Sequence, residues 1–301
     1  MLDNILKTLN CQYNHSFDDI TLHRDMIGYV CIVYKSDRKY IFKLFREQYT
    51  KQALQSTEIM EYLSNCGYPT AQIIKTIDDK PYFIFHDEGK ERVGILYEFI
   101  EGNEPDKNID TKLIGRQTGL LHNIMNKYYK ELINHNKPFF IDRYVDILTN
   151  MNYPDVHEFK EYGDLLWNRI STCSTGFCHG DFHTGNMLRN KKGQYVLFDF
   201  DASAYAFSIY DIAVICDMTN YFSLEDSMYD DTSRMLDRFL KGYNEFNIIH
   251  DNDIQGIYNS IAIRHYEVQA TILENLGVSC IDKNFIDEQL NWLRKWVRLS
   301  K

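Results

Sequence analysis

The hydrophobic pattern changes its period near residue 100, and this change constrains the fold more than any other feature of the chain. Before it, runs rich in β-branched and aromatic residues are typical of strands, and after it apolar residues recur at the spacing of helices. We therefore expect an α+β protein with a small β-rich N-terminal lobe over residues 1–100 and a larger, mostly helical C-terminal lobe over residues 101–301.

The N-terminal part carries the signals of a hairpin, a helix and two further strands. Two β-rich runs, Tyr29–Tyr34 and Tyr40–Phe45, flank a polar turn and predict the hairpin. A helix is predicted from about Lys51 to Asn65, because a glycine and a proline follow it closely. The further strands and the turn that joins them are predicted at Pro81–His86, Val93–Ile100 and Glu88–Glu91.

The C-terminal part is predicted to be helical with one inset hairpin. The apolar residues between Leu113 and Met125 have helical spacing, whereas Met187–Arg189 and Tyr195–Phe200 are β-like and flank a turn that contains a glycine. Four further helices are predicted over residues 155–171, 226–247, 254–275 and 285–300.

Composition excludes several classes of function. Lys and Arg total 33 against 43 Asp and Glu, so the net charge of −10 has the wrong sign for binding nucleic acid. The seven cysteines are scattered without a C-x-x-C pair, which argues against a zinc ribbon or a disulfide framework and favours a reducing compartment. No signal-like N-terminus or membrane-length apolar stretch is present, so we expect a cytoplasmic protein without a membrane partner.

One segment concentrates the residues that can carry chemistry. Asp181 and Asn186 lie in a loop before the inset hairpin, and Asp199 follows its second strand. Loops next to strands hold reactive groups in a fixed arrangement, so we expect the three side chains to converge. Amide and carboxylate oxygens suit Mg²⁺ with a nucleotide phosphate, and a separate carboxylate can accept the proton of an attacking hydroxyl.

The same segment resembles a known family. The pattern H-G-D-x-H-x-x-N, followed by an apolar strand and D-x-D, resembles the aminoglycoside phosphotransferase and choline kinase superfamily. The resemblance extends to Y-D-I-A at Tyr210–Ala213, to the hinge-like Leu96–Gly102 and to Leu-Leu-His at residues 120–122. It implies a two-lobed protein-kinase-like fold, and it covers roughly residues 29 to 215.

The resemblance also implies roles for individual residues. Asp181 would be the catalytic base, and Asn186 and Asp199 would be metal ligands. Four residues would accompany them: His179 as structural support of the loop, Asp211 as a brace behind it, and His183 and Asp201 within the site without an assigned role.

Lys43 is the candidate for gripping the nucleotide phosphates. It alternates with Ile41 and Phe45 along a strand, and a lysine there either contacts phosphate, held by a helix glutamate, or protects an exposed strand edge. Counting forward from Lys43 by the interval that is usual in the family it resembles leads to Glu58, whereas counting back from Leu63 leads to Ser56, and Glu58 is the preferred partner. Glu61, one turn from Glu58, is the alternative partner.

The resemblance places the adenine against the hinge. The Glu98 carbonyl and the Ile100 amide would contact the base. The loop that would cover the phosphates, at Met26, Ile27 and Gly28, lacks the G-x-G-x-x-G pattern of protein kinases.

Acidic residues of the helical lobe suggest a cationic acceptor, because carboxylates attract amino groups and aromatic faces bind ammonium ions. Against this, acidic runs are usually solvated helix faces and spaced aromatics are usually core. The candidate acids are Asp217, Glu225, Asp226, Asp230 and Asp231, and the aromatic residues are Tyr205, Tyr266, Trp292 and Trp296.

These observations predict a small-molecule kinase that uses Mg²⁺ and transfers the γ-phosphate of ATP or GTP to a hydroxyl group. An aminoglycoside-like antibiotic is the preferred acceptor, and choline, homoserine or a sugar is the alternative. Two other classes remain open: a non-catalytic nucleotide-binding regulatory protein, and a zinc or iron hydrolase built on His179, Asp181 and His183.

Overall fold

The computed structural model describes residues 1–25, 28–87 and 89–300. Contacts divide the chain into two compact units. The first unit consists of Met1–Pro105 and Gly185–Ala202, and the second consists of Asp106–Thr184 and Ser203–Lys301. Parts of two predicted features, the phosphate-covering loop at Met26 and Ile27 and the turn at Glu88, lie outside the described residues.

Strands dominate the first part of the chain and helices the rest. Up to residue 105 the elements are α1 (Leu2–Gln12), β1 (Asp19–Asp25), β2 (Gly28–Lys35), β3 (Arg38–Phe45), α2 (Thr50–Asn65), β4 (Ile73–Ile74), β5 (Phe83–Asp87), β6 (Lys90–Glu98) and β7 (Gly102–Asn103). The remaining elements are α3 (Lys107–Met125), α4 (Arg143–Asn150), α5 (Val156–Ile170), β8 (Thr175–Cys178), β9 (Met187–Asn190), β10 (Tyr195–Leu197), β11 (Ala204–Phe207), α6 (Ile209–Cys216), α7 (Ser227–Tyr243), α8 (Asp251–Leu276) and α9 (Lys283–Leu299).

The first unit is built on an antiparallel sheet with the order β1-β2-β3-β6-β4, and β5 pairs with β6. The predicted hairpin is confirmed as β2 and β3, in which Ile32 lies opposite Ile41. Ile5 and Leu9 of α1 share one buried cluster with Phe42 and Leu96 of the sheet, because burying one face of the sheet requires a covering element.

The inset hairpin, β9 and β10, belongs by its contacts to the first unit. Chain order alone assigns it to residues 101–301, but its hydrogen bonds connect it elsewhere. β7 pairs with β9, and the Leu197 amide donates to the Pro69 carbonyl at 3.1 Å. The Thr70 hydroxyl donates to the Leu197 carbonyl at 3.0 Å. Pairing across a long stretch of chain therefore overrides proximity in sequence.

The second unit is mainly helical, as predicted, and α3, α5, α7, α8 and α9 confirm the expected helices. Glycine permits a close approach between α3 and α7. A Cβ added at Gly242 would lie 1.9 Å from the Lys112 carbonyl oxygen, and one at Gly115 would lie 2.1 Å from the Phe239 carbonyl oxygen. The two helix backbones therefore contact each other directly.

None of the helices within the described parts of the chain is long and apolar enough to cross a membrane.

Candidate active site

In the first unit, Lys43 is held by two carboxylates from one short segment. Its Nζ lies 2.6 Å from Asp199 Oδ1 and 2.8 Å from Asp201 Oδ2, and its side chain is 15% exposed. Burial alone would lower the pKa of Lys43, but the charges of Asp199 and Asp201 outweigh it and the pKa is raised. The lysine is therefore a fixed cation, positioned by residues more than 150 positions away in the chain.

Asp199 occupies an unusual backbone conformation. Its φ angle is 65°, in the left-handed region that residues other than glycine adopt at a cost of about 1 kcal/mol or more. The preceding residue, Phe198, donates its amide to the Asn186 carbonyl at 3.1 Å. Asn186 is buried and comes directly before β9, so Asn186 and Asp199 lie at the same end of the hairpin.

This end of the hairpin suits a hard cation. Two carboxylates share one lysine, so the group carries more negative than positive charge when both carboxylates are ionised. Burial raises the pKa of Asp201, the nearby charge of Asp199 raises it further, and Lys43 opposes both effects. The available donors, the carboxylates and the Asn186 amide, are oxygens of the kind that Mg²⁺ prefers.

Neither helix glutamate occupies the inward-facing side of α2. Glu58 is exposed, and Glu61 pairs with Lys75 at 3.5 Å. Ser56 is fully buried and forms a hydrogen bond with Tyr97, a buried neighbour of Lys43. Ser56, which counting back along the helix predicts, therefore occupies the inward-facing position of α2. Lys43 itself is held by Asp199 and Asp201.

The hinge residues end the strand next to β3. Glu98 is the last residue of β6, and its amide donates to the Gln72 carbonyl at 2.9 Å. Ile100 follows and is half-buried. Adenine contact by the Glu98 carbonyl and the Ile100 amide stays a prediction.

In the second unit, the buried Asp211 carboxylate holds the loop that precedes Asp181. It accepts the amides of His179 at 2.7 Å and Gly180 at 2.9 Å, and it lies 3.0 Å from His122 Nε2. Burial would raise the pKa of Asp211, but His122 and the amide donors lower it. Gly180 has a φ of 84°, which allows the tight turn that both amides require.

The Asp181 carboxylate lies between the side chains of Arg264 and His183. Its Oδ1 is 3.5 Å from Arg264 Nη2 and its Oδ2 is 3.3 Å from His183 Nε2. Burial would raise the pKa of Asp181, but His183, Arg264 and His179 together hold it well below its usual range. The lowered pKa keeps the carboxylate ionised at neutral pH, and its side chain is 44% exposed.

Arg264 is the functional candidate that the sequence does not reveal. It lies on α8, in the helical third of the chain where no motif marks it, and its proximity to Asp181 arises from packing over 83 residues of separation. The only available signal is a basic residue on a largely buried helix.

The five acidic acceptor candidates have different surroundings. Asp217 follows α6, where burial raises its pKa and the charges of Lys107 and Arg264 oppose this. Asp226 forms an exposed ion pair with Lys295 at 2.8 Å. The other three, Glu225, Asp230 and Asp231, are exposed or half-buried around the start of α7.

The aromatic residues expected to provide acceptor surface are mostly core. Tyr266, Trp292 and Trp296 are buried, so the expectation of surface aromatics is wrong for them, whereas Tyr205 is 45% exposed. Among the described residues, no group of three or more His, Cys, Asp or Glu is arranged to hold a metal ion, and His179 lies fully buried in the loop.

Comparisons with known proteins show a family and a fold. A family model described as a phosphotransferase enzyme family matches residues 22–248. The amicoumacin kinase hAmiN, solved with AMP-PNP, Ca²⁺ and Ami, is similar with a TM-score of 0.79 and 20% identity, covering 98% of this chain and 92% of that chain.

Two further solved structures are similar. A microcompartment-associated aminopropanol kinase has a TM-score of 0.75 and 13% identity, covering 99% of this chain and 96% of that chain. The choline kinase LicA from Streptococcus pneumoniae has a TM-score of 0.67 and 16% identity, covering 100% of this chain and 98% of that chain. These likenesses confirm the two-lobed, protein-kinase-like α+β fold that the sequence predicts.

Proposed function

Because the chain belongs to the phosphotransferase enzyme family, we propose that it transfers the γ-phosphoryl group of ATP or GTP to a hydroxyl group of a small molecule. The observation that carries this proposal is the sharing of Lys43 between Asp199 and Asp201. A fixed lysine beside excess carboxylate charge is what a metal-bound nucleotide phosphate requires.

Lys43 binds the phosphates that leave with the nucleotide, and Glu98 and Ile100 contact the base. Asn186 and Asp199 would hold Mg²⁺, which when bound neutralises charge on the phosphate oxygens. The buried Asn186 and the strained Asp199 backbone support this assignment, because such strain persists where the surrounding structure fixes a functional group.

Asp181 orients the acceptor hydroxyl and accepts its proton. As the hydroxyl oxygen bonds to the γ-phosphorus, the bond to the bridging β–γ oxygen breaks, and the nucleoside diphosphate leaves with that electron pair. The low pKa of Asp181 supports this role, because the carboxylate is ionised at neutral pH. Asp211 fixes the loop through the amides of His179 and Gly180.

The acceptor proposed is a hydroxyl compound that also carries a cationic nitrogen, with an aminoglycoside-like antibiotic first and choline or homoserine as alternatives of that kind. A sugar is the alternative without such a charge. Two of the similar structures are named for aminopropanol and choline, which combine an alcohol with a cationic nitrogen. Asp217 is the acid that we propose to attract such a cation, because its carboxylate interacts with the charge of Arg264, which in turn contacts Asp181.

The test is nucleoside diphosphate release from Mg·ATP and Mg·GTP with a panel of aminoglycosides, aminopropanol, choline, homoserine and simple sugars. We expect one acceptor class to stimulate release, and Asp181→Asn to lose that stimulation while still binding Mg·nucleotide. Asp3→Asn, the same change at an exposed residue of α1, is the matched control and should retain turnover.

Other outcomes identify the competing functions. Nucleotide binding without stimulated release by any acceptor would favour a regulatory protein. Failure to bind Mg·ATP and Mg·GTP, combined with tightly retained zinc or iron, would contradict the kinase proposal and favour a hydrolase.

A further inference from the structure

Arg264 lies beside the proposed catalytic base. It is on α8, its side chain is only 23% exposed, and its Nη2 is 3.5 Å from Asp181 Oδ1. Burial would lower the pKa of an arginine, but nearby Tyr210, Asp181, Glu267 and Asp217 raise it. A guanidinium is charged at every accessible pH, so this position supplies a permanent cation.

A carboxylate of the same helix contributes to the surroundings of Arg264. Glu267, one turn later on α8, accepts hydrogen bonds from the Tyr210 hydroxyl at 3.2 Å and the Thr271 hydroxyl at 2.9 Å. The charges of Glu267 and Arg264 stabilise each other. The planar guanidinium of Arg264 therefore lies between a fixed anion on its own helix and the Asp181 carboxylate, 3.5 Å away.

We propose that Arg264 is a positioning residue for Asp181, whose carboxylate it orients toward the acceptor hydroxyl. The proposal rests on the proposed function, because it gives Arg264 a role only through Asp181. It assigns a specific task to the helical third of the chain, where the sequence offers no motif.

The surroundings of Asp181 show why such a residue is needed. The charged and titratable groups that face it within the second unit are His179, His183, Arg264 and Glu267. Glu267 is an acid, and a guanidinium is the one basic group here whose charge does not depend on pH. Arg264 is therefore the one permanent cation among these four described groups.

The principal variant is Arg264→Met, which removes the charge and keeps a side chain of similar length. Arg143→Met is the matched control, because Arg143 also faces Glu267, at 3.8 Å, and is 24% exposed. Each variant removes a cation that interacts with Glu267, and the two arginine side chains are similarly exposed. Of the two arginines, Arg264 is the one that contacts Asp181. Arg264→Lys tests whether charge alone is sufficient.

The first measurement is the carboxyl ¹³C titration of aspartate-labelled protein, with the Asp181 resonance assigned by its loss in Asp181→Asn. We expect its midpoint to rise in Arg264→Met, to rise less in Arg264→Lys and to stay unchanged in Arg143→Met. An unchanged midpoint in Arg264→Met, or an equal rise in Arg143→Met, would overturn the proposal.

The second measurement is diphosphate release from Mg·ATP, with water as the acceptor probe. Arg264→Met should lower kcat by about tenfold or more, a typical share of proton-transfer catalysis, and leave the KM for Mg·ATP within about twofold. If release proves independent of Asp181, the proposed function fails, while the titration still decides the effect of Arg264 on Asp181.

If Arg264→Met does not fold, the Glu267 charge, which has then lost a cationic neighbour, is removed as well. The double variant Arg264→Met/Glu267→Gln removes both charges, with Glu267→Gln as its background. A raised Asp181 midpoint in the double variant, relative to Glu267→Gln, supports the proposal, and equal midpoints overturn it.

Discussion

At the scale of single residues, the Lys43 cluster shows how a buried charge is maintained. Lys43 is 15% exposed and Asp201 7% exposed, and an unpaired charge at this depth would cost several kcal/mol. Asp199 and Asp201 together remove that cost and fix the ammonium group. The helix acid that the resemblance implies is therefore not required to hold the lysine.

This arrangement predicts unequal effects of two acidic residues on nucleotide binding. Asp201→Asn removes a charged hydrogen bond of about 1.5–3 kcal/mol, so we expect the Kd for Mg·ATP to rise about tenfold or more. Glu58→Gln changes an exposed helix side chain and should leave the Kd unchanged. Calorimetric titration of both variants measures this, and equal effects would contradict the account of Lys43.

The lowered pKa of Asp211 predicts that the free energy of unfolding depends on pH. Its pKa is lower in the folded than in the unfolded chain, so its stabilisation is present above the unfolded pKa of about 3.9 and is lost as the pH falls through the folded pKa. Asp211→Asn should cost about 3 kcal/mol at pH 7, because it leaves a buried partner unpaired.

Urea unfolding between neutral and acid pH measures this effect. In Asp211→Asn, the free energy of unfolding should fall less steeply below pH 5 than in the wild type. Asp226→Asn is the control, because Asp226 is 74% exposed and its ion pair with Lys295 is screened by solvent. A wild-type acid slope in Asp211→Asn would contradict the prediction.

At the scale of elements, the regular pattern of apolar residues made most of the fold predictable. The β2–β3 hairpin and the long helices each bury one face, so their apolar residues recur in the sequence with the period of a strand or a helix. β8 and β11 pair over only four residues each, between Thr175–Cys178 and Ala204–Phe207. Such short strands carry no period, and their pairing is decided by tertiary contacts.

The residues of the candidate site could be singled out from the sequence where they lie close together along the chain. Asp181, Asn186 and Asp199 share a motif because their spacing along the chain is local, whereas Lys43 needed the resemblance and Arg264 depends wholly on helix packing. The helix acid was ambiguous because α2 buries Gln55, Ser56 and Thr57, so polarity does not mark its exposed face.

The contact between α3 and α7 predicts different costs for two glycine substitutions. Gly242→Ala forces the helices apart, because the new Cβ would overlap the Lys112 carbonyl, and it should cost about 3 kcal/mol. Gly193→Ala meets open space at a φ of 78°, and it should cost about 1 kcal/mol from backbone strain alone. Chemical denaturation of both variants measures the difference, and equal costs would contradict the close approach.

At the scale of the whole molecule, both units are discontinuous in the chain. The segment from His179 to Asp201 contributes Asp181 to the second unit and Asn186 and Asp199 to the first. Ligand binding to Lys43, Asn186 and Asp199 is linked to the stability of the first unit, which contains all three.

Thermal unfolding with Mg²⁺ and AMP-PNP tests this linkage. A ligand at one hundred times its Kd adds about 2.7 kcal/mol of stability, so we expect the Tm to rise by several degrees. Asp199→Asn should lose the part of the rise that depends on Mg²⁺. A rise that EDTA leaves unchanged in the wild type would contradict metal binding by Asn186 and Asp199.

The return of residues 185–202 to the first unit has a consequence for biosynthesis. Lys43 leaves the ribosome 156 residues before Asp199, an interval of about 10–30 s at typical rates of translation. During that interval the lysine lacks both of its anionic partners. Lys43 of the nascent sheet therefore stays hydrated until the hairpin has emerged. Only then can the lysine be buried beside Asp199 and Asp201.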